Sequence, residues 1–135
     1  MNKQLKFRVW DKLEKRFIYP DKGYQGHYVL DLNGRFQNLQ NGSGGNEYVV
    51  QRFIGILDRN LKEIYERDVV KFFTLNGEEI GEVRYSTDSC AYYINDYPIM
   101  NLDLASLEIV GNMVEDYMWD ESGEKLVKIY EDANP

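Results

Sequence analysis

The chain has 135 residues, 43% of them hydrophobic and 14% aromatic, enough for one domain with its own core and no need of disulfides or metals. A net charge of −7 argues against sequence-independent binding to phosphate backbones. A single cysteine excludes an intramolecular disulfide, and no apolar run approaches the ~18 residues of a membrane span.

The N-terminus, "MNKQLKFRVWD", carries charges but no apolar signal region, so the expected location is cytoplasmic, with no membrane partner. Leu5, Phe7 and Val9 alternate with Lys6, Arg8 and Trp10, which predicts a strand with one apolar and one basic-aromatic face. It pairs with "RFIYP" in a first hairpin. "HYVLDL", Asn33-Gly34 and "RFQNLQ" predict a second hairpin, since Asn-Gly tolerates the positive φ of a tight turn. "NGSGGN" (41–46) reads as a flexible loop, followed by a long β-rich run, "EYVVQRFIGIL". "VVKFFTL", Asn76-Gly77 and "IGEVRYS" make another hairpin, with "CAYYIN" as the next strand. "NLDLASL" offers Asn101 or Asp103 as the cap of a short helix or 3₁₀ turn. "LEIVGNMVE" reads as a strand interrupted at Gly111 by a bulge. The tail fits either a hairpin around Ser122-Gly123 or a helix from Gly123 to Asp132. "VWDKLEKRFIYPDK" (9–22) and "MWDESGEKLVKIYED" (118–132) share a hairpin type: Trp-Asp, a charged turn, then an aromatic strand. The fold class is therefore mostly β, built of antiparallel hairpins with little helix.

One stretch is ambiguous. In "ILDRNLKEIYERDVVKF" (56–72), the apolar residues Leu57, Leu61, Ile64, Tyr65, Val69 and Phe72 fit one face of a helix, whereas Asn60 and the β-branched pair Val69-Val70 favour turns feeding a strand. Its carboxylates, Asp58, Glu63, Glu66 and Asp68, alternate with Arg59, Lys62 and Arg67, and read as solvated charge rather than as a metal or acid–base site. Cys90 reads as a buried structural thiol, and His27 is the lone histidine. No Gly-rich phosphate loop and no nucleophile elbow occurs. The expectation is a non-enzymatic protein without cofactor or metal.

Two aromatic sets are candidate binding surfaces. Arg8, Trp10 and Arg52 interleave cations with aromatics on strands, a pattern that can stack single-stranded bases. With Lys6 and Arg16 they carry the nucleic-acid alternative, which the overall charge disfavours. Tyr85, Tyr92, Tyr93 and Tyr97 follow the central hairpin and are placed to line a protein-binding surface. Charge is polarised. Met1–Arg16 holds six basic and two acidic residues, +4, and Glu115–Pro135 two basic and seven acidic, −5. This suits head-to-tail self-association, or an acidic decoy that binds a host protein through Glu115–Asp132.

Three blocks together resemble the YopX family: Lys6-Phe7-Arg8-Val9-Trp10-Asp11; Gln51 to Asp58 with Lys62-Glu63-Ile64-Tyr65-Glu66 and Asp68-Val69-Val70-Lys71-Phe72; and Glu108-Ile109-Val110-Gly111-Asn112. The resemblance implies an SH3-like barrel in the central and C-terminal part. It also implies a phage or prophage origin in a bacterial host and no established activity, hence no catalytic residues to carry over. The regions would be 1–46 (hairpins), 47–116 (barrel) and 117–135 (acidic extension), packed as one unit, with partners being a second copy or a host or phage protein. The family pattern has glycine where this chain has Leu61 and Arg67. The resemblance therefore resolves the ambiguous stretch into turns, with Leu61 or Arg67 in left-handed backbone at about 1 kcal/mol. Arg67→Gly is then expected to stabilise the chain by about 0.5–1 kcal/mol, read as a raised urea midpoint.

Overall fold

Period-two alternation and turn chemistry place the elements. The computed structural model describes residues 6–20, 28–30, 36–38 and 47–129. Its strands are β1 Phe7–Asp11, β2 Arg16–Ile18, β3 Tyr28–Leu30, β4 Phe36–Asn38, β5 Tyr48–Leu57, β6 Glu63–Tyr65, β7 Asp68–Thr74, β8 Gly77–Ser86, β9 Ala91–Ile94, β10 Tyr97–Pro98, β11 Glu108–Asn112, β12 Tyr117–Trp119 and β13 Leu126–Lys128. The chain is mostly antiparallel β and includes a sheet curled into a half-barrel. Strand orders are β2-β1-β5-β6, β10-β9-β8-β7-β11, β3-β4 and β12-β13. Contacts group the chain into two units, 1–53 and 54–135.

In the first unit, β1 pairs antiparallel with β2 and with the start of β5. Asp11 closes the β1–β2 turn: its Oδ1 accepts the N–H groups of Leu13 (3.0 Å) and Glu14 (3.1 Å). Val9, Ile18 and Phe36 are buried, with Tyr48 and Val50 packed on them. The Asn33-Gly34 turn and the loop at 41–46 lie outside the described residues.

In the second unit, β7 is covered on both faces. Val70 and Phe72 join Ile64, Val83, Ile94, Ile99 and Leu107 in one cluster, while Val69 packs with Met113 and Tyr117 in another. Burying Phe72 alone stabilises by about 1.5–3 kcal/mol. In the β7–β8 hairpin, Thr74 pairs with Gly77. Gly77 alone takes positive φ (106°), and neither Leu75 nor Asn76 does. The glycine thus follows the two-residue Leu75-Asn76 turn as the first paired residue of β8 instead of forming a central Asn-Gly pair. Asp103 caps a 3₁₀ turn, Leu104–Ser106, by accepting from Ala105 N–H. The register of β11 on β7 shifts between Ile109 and Gly111, the expected bulge. The reason for glycine there is room, not φ: a Cβ at Gly111 would lie 2.8 Å from the Tyr117 ring. The tail is a hairpin, β12–β13, not a helix, over the described residues. Its turn repeats the chemistry of the first hairpin, with Asp120 Oδ1 accepting from Ser122 Oγ and from the N–H groups of Glu124 and Lys125.

The stretch 56–72 is no helix. Strand β5 ends at Leu57, residues 58–62 turn, β6 follows, Glu66-Arg67 turn again, and β7 begins. Leu61 (φ 64°) and Arg67 (φ 71°) are both left-handed, as the family comparison implies. Asp58 and Asp68 correct the solvated-charge reading: both are buried. Asp58 Oδ1 accepts from Asn60 N–H (2.8 Å) and Lys62 N–H (3.0 Å), and its Oδ2 from Ile109 N–H (3.0 Å). Asp68 Oδ2 accepts from Tyr65 N–H (2.8 Å). Cys90 is also corrected. It is exposed, at positive φ in the β8–β9 turn, because the apolar positions of β9 begin after it.

Arg67 Nε lies 3.5 Å from Oε2 of the buried Glu82, so removing its side chain offsets part of the gain from glycine. Leu61 is 78% exposed and gives the cleaner test. Leu61→Gly should stabilise by about 0.5–1 kcal/mol and raise the urea midpoint by more than Arg67→Gly does.

Candidate binding surface on the C-terminal unit

The candidates of the first unit do not share a face. Directly opposed residues in antiparallel strands lie on the same side. Arg8 opposes Gln51, Trp10 opposes Val49 and Phe17, and Arg52 opposes Phe7. Arg52 is therefore on the other side of the sheet from Arg8 and Trp10. Arg8 is only 6% exposed. Its guanidinium stacks 4.4 Å from the Phe17 ring centroid, and its Nε donates to Gln51 Oε1 at 2.8 Å. Trp10 is half-buried, edge-on to Phe17.

The tyrosines of the second unit divide between the two sides of their sheet. On β8 and β9, Arg84 opposes Tyr93 and Tyr85 opposes Tyr92. The Tyr85 and Tyr92 rings meet edge to face at 5.1 Å. Tyr92 Oη donates to Glu66 Oε2 (3.1 Å), and Tyr93 Oη accepts from Ser89 Oγ (3.0 Å). Tyr97 packs edge-on against Phe72 at 5.6 Å. Tyr85, Tyr92 and Tyr97 thus share the side of the sheet that carries Val83 and Ile94, with Tyr85 at its exposed end, while Tyr93 lies on the other side with Arg84.

Two adjoining grooves lie over this surface. One, of about 400 Å³, is lined by Arg84, Tyr85, Ser86, Tyr93, Asn95 and Asp96. The other, of about 440 Å³, shares Arg84, Asn95 and Asp96 and adds Glu79, Tyr97, Trp119, Gly123 and Glu124. The wall between them is held from below. Asn95 sits at φ 53°, and its Nδ2 donates to Ile80 O at 3.0 Å. Only glycine at position 81 admits it, because a Cβ there would be 2.5 Å from Asn95 Oδ1. Trp119 is oriented by Glu82, 3% exposed, whose Oε1 accepts from Trp119 Nε1 at 2.9 Å. Arg84 then lies over the Trp119 ring at 5.8 Å.

The Asp120 carboxyl titrates below its usual range, chiefly through the hydrogen bond from Ser122 and, against burial, through backbone N–H groups of Lys125, Glu124 and Gly123. Lys71 and Glu108 on neighbouring strands pair at 3.0 Å. Their mutual hydrogen bond holds the Glu108 carboxyl below and the Lys71 ammonium above the ordinary values.

Position after the central hairpin was enough to name Tyr85 and Tyr93. It does not find Trp119, which arrives from a hairpin 37 positions beyond Glu82 and is docked by Glu82 and by packing with Val69, Met113 and Ile80. His27 lies outside the described residues. Among the described residues no group of three His, Cys, Asp or Glu side chains gathers as for a metal ion, and no helix is long and apolar enough to cross a membrane.

These observations define a mostly antiparallel β protein with an aromatic, groove-bearing sheet face. The chain belongs to the YopX family, whose model, described as YopX protein, matches residues 6–117. Among solved structures it is similar to protein EF1440 from Enterococcus faecalis, at 20% identity and a TM-score of 0.54, over 84% of this chain and 96% of that one. It is likewise similar to protein yopX from Bacillus subtilis, at 18% identity and a TM-score of 0.57, over 82% and 94%. At such identities the likeness establishes the fold alone. No curated protein matches the sequence.

Trp119→Phe removes the donor to buried Glu82. It should cost about 1–3 kcal/mol and speed hydrogen exchange in β12 and β13 while leaving β7 and β8 protected. Unchanged exchange in the hairpin would show that Glu82 does not dock it.

Proposed function

We propose that the protein is a non-enzymatic binding module that presents the β8–β9 face of its C-terminal unit to another protein. The observation that carries this reading is the pair of adjoining grooves sharing Arg84, Asn95 and Asp96, with Tyr85, Tyr93 and Trp119 as aromatic walls. Aromatics of this kind supply large, rigid contact area at low entropic cost. We take the half-barrel as SH3-like, and the protein as phage- or prophage-encoded and acting in the bacterial cytoplasm, in line with the family resemblance. The partner is a host or phage protein; self-assembly is the alternative partner mode. The nucleic-acid alternative is the weaker reading, since Arg8 is buried and Arg52 lies on the opposite side of the sheet, which leaves it Lys6, Trp10 and Arg16.

The test is affinity capture from a bacterial host lysate with the wild-type chain and with a Tyr93→Ala/Asp96→Ala variant, both checked for an unchanged urea midpoint. Native mass spectrometry of each chain alone reads self-association. A partner, or a second copy, retained by the wild type and lost by the variant is the expected result. Equal retention by both would move the binding surface elsewhere.

A further inference from the structure

The two grooves differ in charge, and that difference selects an occupant. The groove beside Trp119 is lined by three carboxylates, Glu79, Asp96 and Glu124, against one cation, Arg84. Its apolar walls are Tyr97 and Trp119. The neighbouring groove balances Arg84 against Asp96 and is walled by Tyr85 and Tyr93. Arg84 stands on the shared wall with its guanidinium over Trp119, and among the described residues no carboxylate pairs with it. The fold thus shows a cation on the indole face, with carboxylates around it.

Resting on the binding-module reading, we propose that the groove beside Trp119 takes a lysine or arginine side chain from a basic, extended segment of a partner protein. The aliphatic stem of that residue lies along Tyr97 and Trp119, its charge among Glu79, Asp96 and Glu124, and the next residues of the segment cross Tyr93, on the same side of the sheet as Arg84. Carboxylates around aromatic rings favour cations twice, by Coulomb attraction and by the ring quadrupole. The net charge of −7 steers a basic partner toward the chain and repels a second copy and polyphosphate alike. In this scheme Arg84 is a competitor, since it repels the incoming cation and covers the indole face.

That role for Arg84 gives the test its sign. The indole N–H signal of Trp119 in ¹⁵N–¹H spectra is followed as the full chain is titrated with a hexalysine peptide, a hexaglutamate peptide or a dT10 oligonucleotide. Hexalysine is expected to shift the signal saturably. Asp96→Asn should weaken that binding by about 1.4- to 5-fold, and Arg84→Ala should tighten it by a similar factor, the range of a single exposed charge pair. Glu14→Gln, which removes one charge from the β1–β2 turn, should leave the affinity unchanged and so separates the groove from general attraction by net charge.

If hexaglutamate or dT10 shifts Trp119 and Arg84→Ala abolishes the shift, the groove takes anions; the basic-partner proposal falls while the binding-module reading stands. A Trp119 shift that depends on protein concentration alone, and that Lys12→Glu/Lys15→Glu removes, would make a second copy the occupant and overturn the proposal. No shift with any of the three probes overturns it as well.

Discussion

One carboxylate joins parts of the second unit that are distant in sequence. Asp58 accepts three backbone N–H groups, two from its own turn and one from Ile109, 51 residues on. Beside it, Arg59 N–H donates to Leu107 O at 2.7 Å. The turn between β5 and β6 is thereby fastened along β11, the edge strand of the five-stranded sheet. An edge strand leaves backbone donors and acceptors open to stray pairing, and here the turn occupies the Ile109 N–H of β11 and the Leu107 carbonyl just before it. Burial works to raise the Asp58 pKa, yet the N–H groups of Ile109, Lys62 and Asn60 and the charge of Lys62 outweigh it, so the carboxyl titrates below its usual range. A buried charge is tolerable because its oxygens are satisfied.

The same segment explains why two residues without glycine's freedom sit in left-handed backbone. Leu61 closes the turn that Asp58 holds, its N–H donating to Asp58 O at 2.9 Å. Arg67 closes the turn before Asp68, donating its N–H to Val83 O and accepting Met113 N–H. Each left-handed residue costs about 1 kcal/mol, offset by hydrogen bonds that tie β6, β8 and β11 to the turns. With β8 so positioned, Glu82 and Arg84 project from one face two residues apart. Glu82 is buried beneath Trp119 and Arg84 lies over it, so the binding surface is continuous with the framework rather than added to it.

The sequence was legible where the physics is local. The β1–β2 and β7–β8 hairpins, the Gly111 bulge, the strands that carry the tyrosines and one of the two candidate caps, Asp103, depend on neighbouring residues and appear among the described residues. The apolar spacing of 56–72 imitates a helix because a strand buried on both faces, with Val69 and Val70 in different clusters, does not alternate, and the family resemblance rather than periodicity resolved it. Leu57 and Leu61, which complete the helical pattern, are exposed. Asp58, Asp68 and Glu82 were not legible as buried groups, because their donors come from backbone or from Trp119, and no side-chain pattern announces a backbone donor. Arg8 failed as a surface residue for a related reason: Gln51 and Phe17 receive it only once β1, β2 and β5 are paired. Trp119 and Arg84 became site residues only through the docking of the last hairpin.

The most direct test is the stability of wild type and Asp58→Asn by urea unfolding from pH 7 down to pH 3. Asparagine retains one acceptor and presents an N–H₂ group where the second oxygen accepted, so the variant should lose about 1–3 kcal/mol at pH 7. A carboxyl whose pKa is lowered by folding contributes its stability above the unfolded value of about 3.9 and loses it as pH falls through the folded value. The gap between the two proteins should therefore be constant from pH 7 to about 5 and close below about 4. A variant as stable as the wild type at pH 7, or a gap that does not change with pH, would contradict the role assigned to the Asp58 carboxylate.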